Sequence, residues 1–225
     1  DTILAACANE DEENKLFSVD GPGGTGKTFL FNALLNEIRR NGGFALAVAT
    51  SGTASLLLNG GRTAHSLFKI PINIRPNSVC DIEPRSPLAA LIRNAKLIIW
   101  DEASMIRGDV LNAVNRTFKD IMRMHADWSS DKSFGGKLIV FGGDFRQVLP
   151  VVPRGSKSDI IEQCINQLQL WHDVKILPLI ENMRVKQALQ NNNPVLAEKL
   201  ESFSRFLLRV GNGREPTLPH TSLIN

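Results

Sequence analysis

The residues best suited to chemistry form a glycine-rich segment near the amino terminus, which matches the pattern G-x-x-x-x-G-K-[ST]. Apolar residues 16–19 precede it and residues 29–35 follow it, an order that predicts a strand, a turn and a helix. In such a turn, glycines let backbone N–H groups surround a phosphate, and the helix amino terminus adds partial positive charge. The segment therefore predicts a nucleoside triphosphate site, formed by Gly21, Pro22, Gly23, Gly24, Thr25, Gly26, Lys27 and Thr28.

Four polar side chains could hydrolyse that triphosphate. Lys27 would reach the β- and γ-phosphates, and the Thr28 hydroxyl would bind Mg²⁺. Asp101 and Glu102 directly follow the apolar run 97–100, where one carboxylate can join the Mg²⁺ shell and another can orient or deprotonate the attacking water. We assign Asp101 to the metal and Glu102 to the water, because successive side chains at a strand end point in different directions. The alternative is a strand that simply ends in two acids.

Two further polar segments could respond to the nucleotide. Residues 142–150 (GGDFRQVLP) follow a third apolar run, and Gln147 or Arg146 there could reach the γ-phosphate. Arg184, which follows Asn182 and Met183, could complete the positive charge around the transition state. From the residues alone, the first segment could equally be an ordinary exit from a strand, and Arg184 an ordinary surface residue.

The elements that must position these residues alternate between apolar runs and amphipathic helices, which predicts an α/β fold with a mainly parallel sheet covered by helices on both faces. In such sheets ligands bind at the carboxyl ends of the strands. A polar loop is predicted at residues 50–55, a short helix beginning within 62–68, and irregular structure over 71–87. Strands are predicted at 44–49, 97–100, 138–141 and 174–177, and helices at 27–40, 108–124, 160–170 and 197–210.

The composition limits the class of protein. Apolar residues make up 43% of 225 residues, which is enough for a substantial core, and a net charge of +3 permits a nucleic-acid partner without requiring one. No apolar run is long enough to cross a bilayer and no signal peptide is visible, so we expect no membrane partner. The three cysteines, at positions 7, 80 and 164, have no disulfide or metal spacing and suit a reducing compartment.

Six segments occur in an order that resembles one family: GPGGTGKT, ATSGTAS, GRTAHSLFKIP, LIIWDEASM, GGDFRQVLPVVP and LIENMRV. Together they cover about residues 16–210 and resemble the petite-integration-frequency (Pif) family of superfamily 1B DNA helicases, particularly the plant and Helitron-transposon forms. The resemblance implies a RecA-like P-loop domain that uses ATP and Mg²⁺. It further implies 5′-to-3′ movement on single-stranded DNA, with unwinding of duplex and G-quadruplex substrates in replication, repair, recombination or telomere maintenance.

The resemblance also implies roles for individual residues. Lys27 and Thr28 match the phosphate and Mg²⁺ contacts, and Asp101 and Glu102 match the metal-binding and water-activating acids. Gln147 matches a glutamine that links the γ-phosphate to DNA, and Arg184 matches an arginine finger. Small polar residues in two segments match contacts to single-stranded DNA, where hydroxyls and backbone amides suit the sugar–phosphate chain: Ser51, Gly52, Thr53, Thr63, His65 and Ser66.

The domain organisation that we expect is a lead-in at residues 1–14, a motor domain at 15–210 and a linker at 211–225 toward a second RecA-like domain. The resemblance places an adenine-reading glutamine before the phosphate loop, and residues 1–14 contain no counterpart, so we expect the native chain to begin earlier. The intact enzyme is expected to be monomeric and to act in the nucleus or the mitochondrion. Two alternatives stay open: a P-loop ATPase that remodels proteins, and a non-catalytic DNA-binding module gated by nucleotide.

Overall fold

The computed structural model describes residues 1–9, 15–124 and 132–216. The acidic run at 10–13 and most of the predicted linker, residues 217–225, lie outside these ranges. In the described ranges six strands form one parallel sheet: β1 (Leu16–Asp20), β2 (Phe44–Ala49), β3 (Arg62–Thr63), β4 (Ala95–Asp101), β5 (Ile139–Gly143) and β6 (Lys175–Pro178). Their spatial order is β3-β2-β4-β5-β1-β6, so β1, β5 and β4 are neighbours at the centre.

Helices connect and cover these strands. They are α1 (Thr2–Ala8), α2 (Lys27–Arg40), α3 (Gly52–Leu56), α4 (Ala64–Leu67), α5 (Pro87–Asn94), α6 (Gly108–Met122), α7 (Lys157–Glu162), α8 (Met183–Gln190) and α9 (Pro194–Gly211). Short 3₁₀ turns occur at Ala103–Met105, Ser133–Gly136, Ile165–Gln167 and Gln169–Asp173. None of the helices in the described part of the chain is long and apolar enough to cross a membrane.

The sheet is buried on both faces because its central strands are almost wholly apolar. Successive residues of β4 point to opposite sides, so Trp100 joins one core cluster and Ile99 the other. Phe118 of α6 packs in the first cluster, where its ring lies 5.2 Å from that of Phe68. Phe31 of α2 packs in the second, together with residues of α1. The predicted α/β fold with helices on both faces is therefore confirmed.

Several predicted elements differ from the observed ones in informative ways. The polar loop at 50–55 is partly helical, because the Ser51 hydroxyl accepts a hydrogen bond from the Ala54 amide and caps α3. The prediction of a helix over 160–170 is wrong: a capping box begins α7 at Lys157, and 3₁₀ turns follow it. Helix α5 was not predicted, although Ser86 followed by Pro87 is a recognisable helix start.

The last helix is confirmed, but its apolar face is largely open to solvent. Phe203 is 58% exposed and Leu207 is 50% exposed. Helix α9 packs mainly on α8, and its final residue, Gly211, lies against Arg146. The amphipathic pattern therefore predicted the helix correctly, although this face is not part of the core.

Candidate active site

The phosphate loop connects β1 to α2 and has the backbone shape that its glycines permit. Gly24 and Gly26 have φ of +89° and +88°, in the left-handed region that other residues rarely occupy. The Thr25 hydroxyl donates to the carbonyl oxygen of Pro22 at 2.9 Å and holds the turn closed. The Lys27 ammonium donates to the carbonyl oxygen of Gly21 and, at 3.4 Å, to that of Pro22. Lys27 is therefore folded over the loop from which it projects.

The acidic pair lies at the end of β4, within electrostatic reach of Lys27. Asp101 is 4% exposed, and one of its carboxylate oxygens accepts a hydrogen bond from the Glu102 amide at 2.9 Å. Glu102 has a left-handed backbone (φ 53°), which redirects its side chain after the strand. Burial raises the pKa of both carboxyls, and the charge of Asp101 raises the pKa of Glu102 further, whereas the Lys27 charge lowers both pKa values.

A third polar group comes from the end of β5, where Asp144 is almost fully buried. Its carboxylate accepts hydrogen bonds from the Gln147 side-chain amide at 3.3 Å and from the Arg146 guanidinium at 2.7 Å. Arg146 also contacts Asp20, the last residue of β1, at 3.2 Å. The carboxylate of Asp144, which holds Gln147, lies within electrostatic reach of the acidic pair, since its charge is one of those that raise the pKa of Glu102. Arg146, the other residue considered for the γ-phosphate, is engaged by two carboxylates.

Helix α8 brings Arg184 to the phosphate loop. The Met183 amide donates to the carbonyl oxygen of Gly24 at 2.9 Å, and the Asn182 side chain caps the helix. A β-carbon at Gly24 would lie 3.2 Å from Arg184 Cδ and 3.3 Å from Arg184 Nε. The guanidinium arm therefore runs alongside the loop that would hold the phosphates.

The residues predicted to contact DNA lie at the same edge of the sheet but on the other side of β4. Ser51 and Thr63 follow β2 and end β3, and both side chains cap short helices. Ser66 accepts a hydrogen bond from Arg62 at 3.2 Å. The remaining three predicted residues are exposed: Gly52, Thr53 and His65. The fold therefore places this group together on one surface, beside the nucleotide site and separate from it.

Sequence reasoning missed Asp20, Asp144 and the pairing role of Arg146. Asp20 directly precedes the phosphate loop and Asp144 directly follows two glycines, so each could have been noted as an acid at a strand end. Their connection through Arg146 depends on β1 and β5 being neighbours, with Asp20 opposite Gly143. No local pattern in the sequence contains that information.

Comparison with known proteins identifies the chain's relatives. A curated helicase of Psychrobacter sp., named ATP-dependent DNA helicase Pif1, is 30% identical over 166 residues, which are 73% of this chain and 24% of that protein. The Pif1 helicase of Campylobacter jejuni is 28% identical over 197 residues, which are 81% of this chain and 40% of that protein. The chain thus spans a quarter to two fifths of the length of these relatives.

Solved structures agree in fold. Bacteroides Pif1 bound to single-stranded DNA superposes with a TM-score of 0.59 at 27% identity, over 80% of this chain and 43% of that one. Bacteroides Pif1 in complex with ADP-AlF₃ and single-stranded DNA has a TM-score of 0.64 at 22% identity, over 86% of this chain and 46% of that one. The family model for PIF1-like helicases matches residues 1–220. The chain belongs to the PIF1-like helicase family.

Proposed function

We propose that this chain is the first motor domain of an ATP-dependent DNA helicase, which in the intact enzyme moves 5′ to 3′ on single-stranded DNA. One observation carries the proposal: Lys27 of an intact phosphate loop lies within electrostatic reach of the acidic pair Asp101 and Glu102. The named activity of the curated relatives and the single-stranded DNA and forked duplex in related structures support it. Because the chain spans less than half of those proteins, the activity of the whole enzyme is part of the proposal.

The phosphate loop would bind ATP through its backbone amides and the amino terminus of α2. Lys27, which donates to the carbonyl oxygens of Gly21 and Pro22, would exchange these acceptors for oxygens of the β- and γ-phosphates. This exchange costs little, because a neutral carbonyl acceptor is replaced by a charged one. The adjacent Arg184 would add a second positive charge beside the γ-phosphate.

The residues present fit a Mg²⁺ ion that is bound mostly by phosphates and water. No three His, Cys, Asp or Glu side chains cluster as a metal site in the described ranges, so a cage of protein ligands is not seen there. Mg²⁺ commonly uses one or two protein oxygens together with substrate phosphates. Asp101 can provide one, because only one of its carboxylate oxygens is occupied by the Glu102 amide, and the Thr28 hydroxyl can provide another. Bound there, the ion would neutralise charge on the phosphates.

Glu102 is the residue that we assign to the attacking water. Its raised pKa makes it a better proton acceptor than an exposed glutamate, and its backbone turn separates it from Asp101. Gln147 lies on the neighbouring strand end, where its amide can contact the γ-phosphate or the water. Asp144 holds the amide nitrogen of Gln147, so the carbonyl oxygen of this side chain points away from the carboxylate.

We place single-stranded DNA on the surface formed by Ser51, Gly52 and Thr53 together with Thr63, His65 and Ser66. Contacts from such groups to sugar and phosphate would position the strand without reading its sequence. In the intact enzyme this domain and a second RecA-like domain would close on ATP. Hydrolysis would then change the relative position of the two domains and move the DNA. The same proposal includes duplex and G-quadruplex substrates, a monomeric enzyme, and action in the nucleus or mitochondrion.

The test is ATP hydrolysis by the intact, longer protein with and without single-stranded DNA. We expect DNA to stimulate hydrolysis and Glu102→Gln to abolish it while retaining nucleotide binding. Lys27→Ala should remove the stabilisation by nucleotide, which is about 2.7 kcal/mol at a hundredfold excess over Kd. Lys199, an exposed residue in the first half of α9, gives a matched control in Lys199→Ala.

Each alternative predicts a different result in these assays. Hydrolysis that is indifferent to DNA would refute the helicase proposal and favour an ATPase that remodels proteins. An unchanged rate in Glu102→Gln would contradict the assignment of that residue. Nucleotide-dependent DNA binding without any hydrolysis would favour a non-catalytic module.

A further inference from the structure

Arg146 occupies an unusual position between two strand ends. Its guanidinium donates to Asp144 through Nε at 2.7 Å and to both carboxylate oxygens of Asp20 through Nη2 at 3.2 and 3.3 Å. Asp144 is the first residue after β5, and Asp20 ends β1 immediately before the phosphate loop. One side chain therefore connects the entrance of the phosphate loop to the segment that carries Gln147.

The end of this connection at Asp144 is shielded from water, whereas the Asp20 side chain at its other end is 31% exposed. The Asp144 side chain is 5% exposed and the Arg146 side chain 28% exposed. The carboxylate of Asp144 is also held by the backbone amide of Arg146 at 3.0 Å, so its two oxygens face three donors. Without the guanidinium, the buried carboxylate would keep its desolvation cost with only these two uncharged amide donors to offset it.

Gln147 depends directly on this carboxylate. A carboxylate paired with arginine accepts hydrogen bonds and does not donate them, so only the amide nitrogen of Gln147 can face Asp144. The pair of Asp144 and Arg146 thereby turns the carbonyl oxygen of the Gln147 side chain away from the Asp144 carboxylate. The end of α9 closes the arrangement from the other side, since a β-carbon at Gly211 would lie only 3.0 Å from Arg146 Cβ.

We propose that Arg146 is a positioning residue for ATP hydrolysis, which orients Gln147 through Asp144 and holds the phosphate loop at a fixed distance through Asp20. This inference rests on the proposed function of Gln147 as the group that contacts the γ-phosphate or the attacking water. Arg146 itself does not contact the nucleotide in this proposal, because the carboxylates of Asp20 and Asp144 already occupy its guanidinium.

The test is a double-mutant cycle on DNA-stimulated ATP hydrolysis in the intact protein. Variants Arg146→Ala and Gln147→Ala should each lower kcat about tenfold or more with little change in KM, because each removes an interaction that matters in the transition state. If Arg146 acts through Gln147, the loss of rate in the double variant will be clearly smaller than the product of the two single losses, and any loss beyond that of Gln147→Ala alone measures the part that acts through Asp20. Arg146→Lys, which can still pair with one carboxylate, should recover part of the rate. Arg205→Ala, which breaks an exposed ion pair on α9, is the matched control.

Two outcomes would overturn the inference. Multiplying losses in the double variant would mean that Arg146 and Gln147 act independently. Wild-type kinetics in Arg146→Ala would mean that the connection has no role in hydrolysis. Arg146→Lys keeps the cycle interpretable if removal of the whole side chain unfolds the protein.

Two further measurements separate this inference from the proposed function. If the wild-type protein binds nucleotide but does not hydrolyse it, the affinities for a non-hydrolysable ATP analogue and for ADP are compared. Arg146→Lys and Gln147→Ala should then both lose the preference for the analogue over ADP. If the wild-type protein binds neither the ATP analogue nor ADP, the proposed function fails. Hydrogen exchange of the unliganded protein then tests the connection made by Arg146. Arg146→Lys should then speed exchange at both residues 20–26 and 143–148, and unchanged exchange at either segment would refute the connection.

Discussion

Stability between pH 8 and pH 10.5 should depend on one lysine outside the active site. Lys137 precedes β5, and its ammonium donates to the carbonyl oxygen of Arg93 at 2.6 Å. Burial, together with the nearby charge of Lys15, lowers the pKa of Lys137 to about 8. In the unfolded chain its pKa would be about 10.4.

The free energy of unfolding changes with pH because the folded and unfolded states lose the Lys137 proton at different pH values. Below pH 8 both states are charged, and the folded state carries the cost of the buried ammonium. Between pH 8 and 10.5 the folded state loses the proton while the unfolded state keeps it, so the free energy of unfolding rises with pH. The difference between the folded and unfolded pKa values of Lys137 corresponds to a gain of about 3 kcal/mol in the free energy of unfolding between pH 8 and pH 10.5.

A buried cysteine opposes this gain in the wild-type protein. Burial raises the pKa of Cys80 to about 11, so its stabilising contribution is present below the unfolded pKa and is lost as pH rises toward 11. The wild-type curve therefore combines a rise from Lys137 with a fall from Cys80, and burial also raises the pKa values of Cys7 and Cys164, which adds to the fall. Only the difference between variants isolates each group.

The assay is urea unfolding of wild type, Lys137→Met and Cys80→Ala at intervals from pH 7 to pH 10.5. Wild type minus Lys137→Met should rise with pH by about 3 kcal/mol, above a constant offset from the lost hydrogen bond. Lys199→Met, at an exposed site on α9, should show no such rise. A flat difference for Lys137→Met would refute the reasoning, because it would mean that the ammonium is solvated in the folded state.

Three other substitutions test the fold and the loop. Phe118→Ala should cost about 3–5 kcal/mol in urea unfolding, since the ring is fully buried among aromatic neighbours, and a loss under 1 kcal/mol would contradict that packing. Ser156→Ala should cost about 1 kcal/mol by removing the capping box of α7, whereas Ser158→Ala on the same helix should cost little. Gly24→Ala should weaken nucleotide binding about tenfold or more in a titration, because φ of +89° strains any side chain, and unaltered affinity would show that the loop adapts.

Local sequence patterns predicted the helices and strands whose bounds depend on residues adjacent in the chain. Helix α2 ends at Arg40 as expected, since Asn41, Gly42 and Gly43 stop it, and the apolar runs predicted β2, β4 and β5 within one or two residues. Errors arose where side chains hydrogen bond to nearby amides, as Ser51 does in α3 and Ser156 does in α7. The signal was present in these sequences, but a polar loop and a short capped helix have similar compositions.

The sequence by itself determined the chemistry: a phosphate loop with Lys27 and Thr28, an acidic pair after a buried strand, and the family to which their order belongs. The tertiary structure decided which strand ends are neighbours, and so which groups share a site. The order β4-β5-β1 brings residues of three segments to one edge, and it lets Arg146 bridge Asp20 and Asp144. Sequence patterns describe what one element buries, whereas ion pairs depend on distance through space, and that distance is set by how the crossover connections stack the strands.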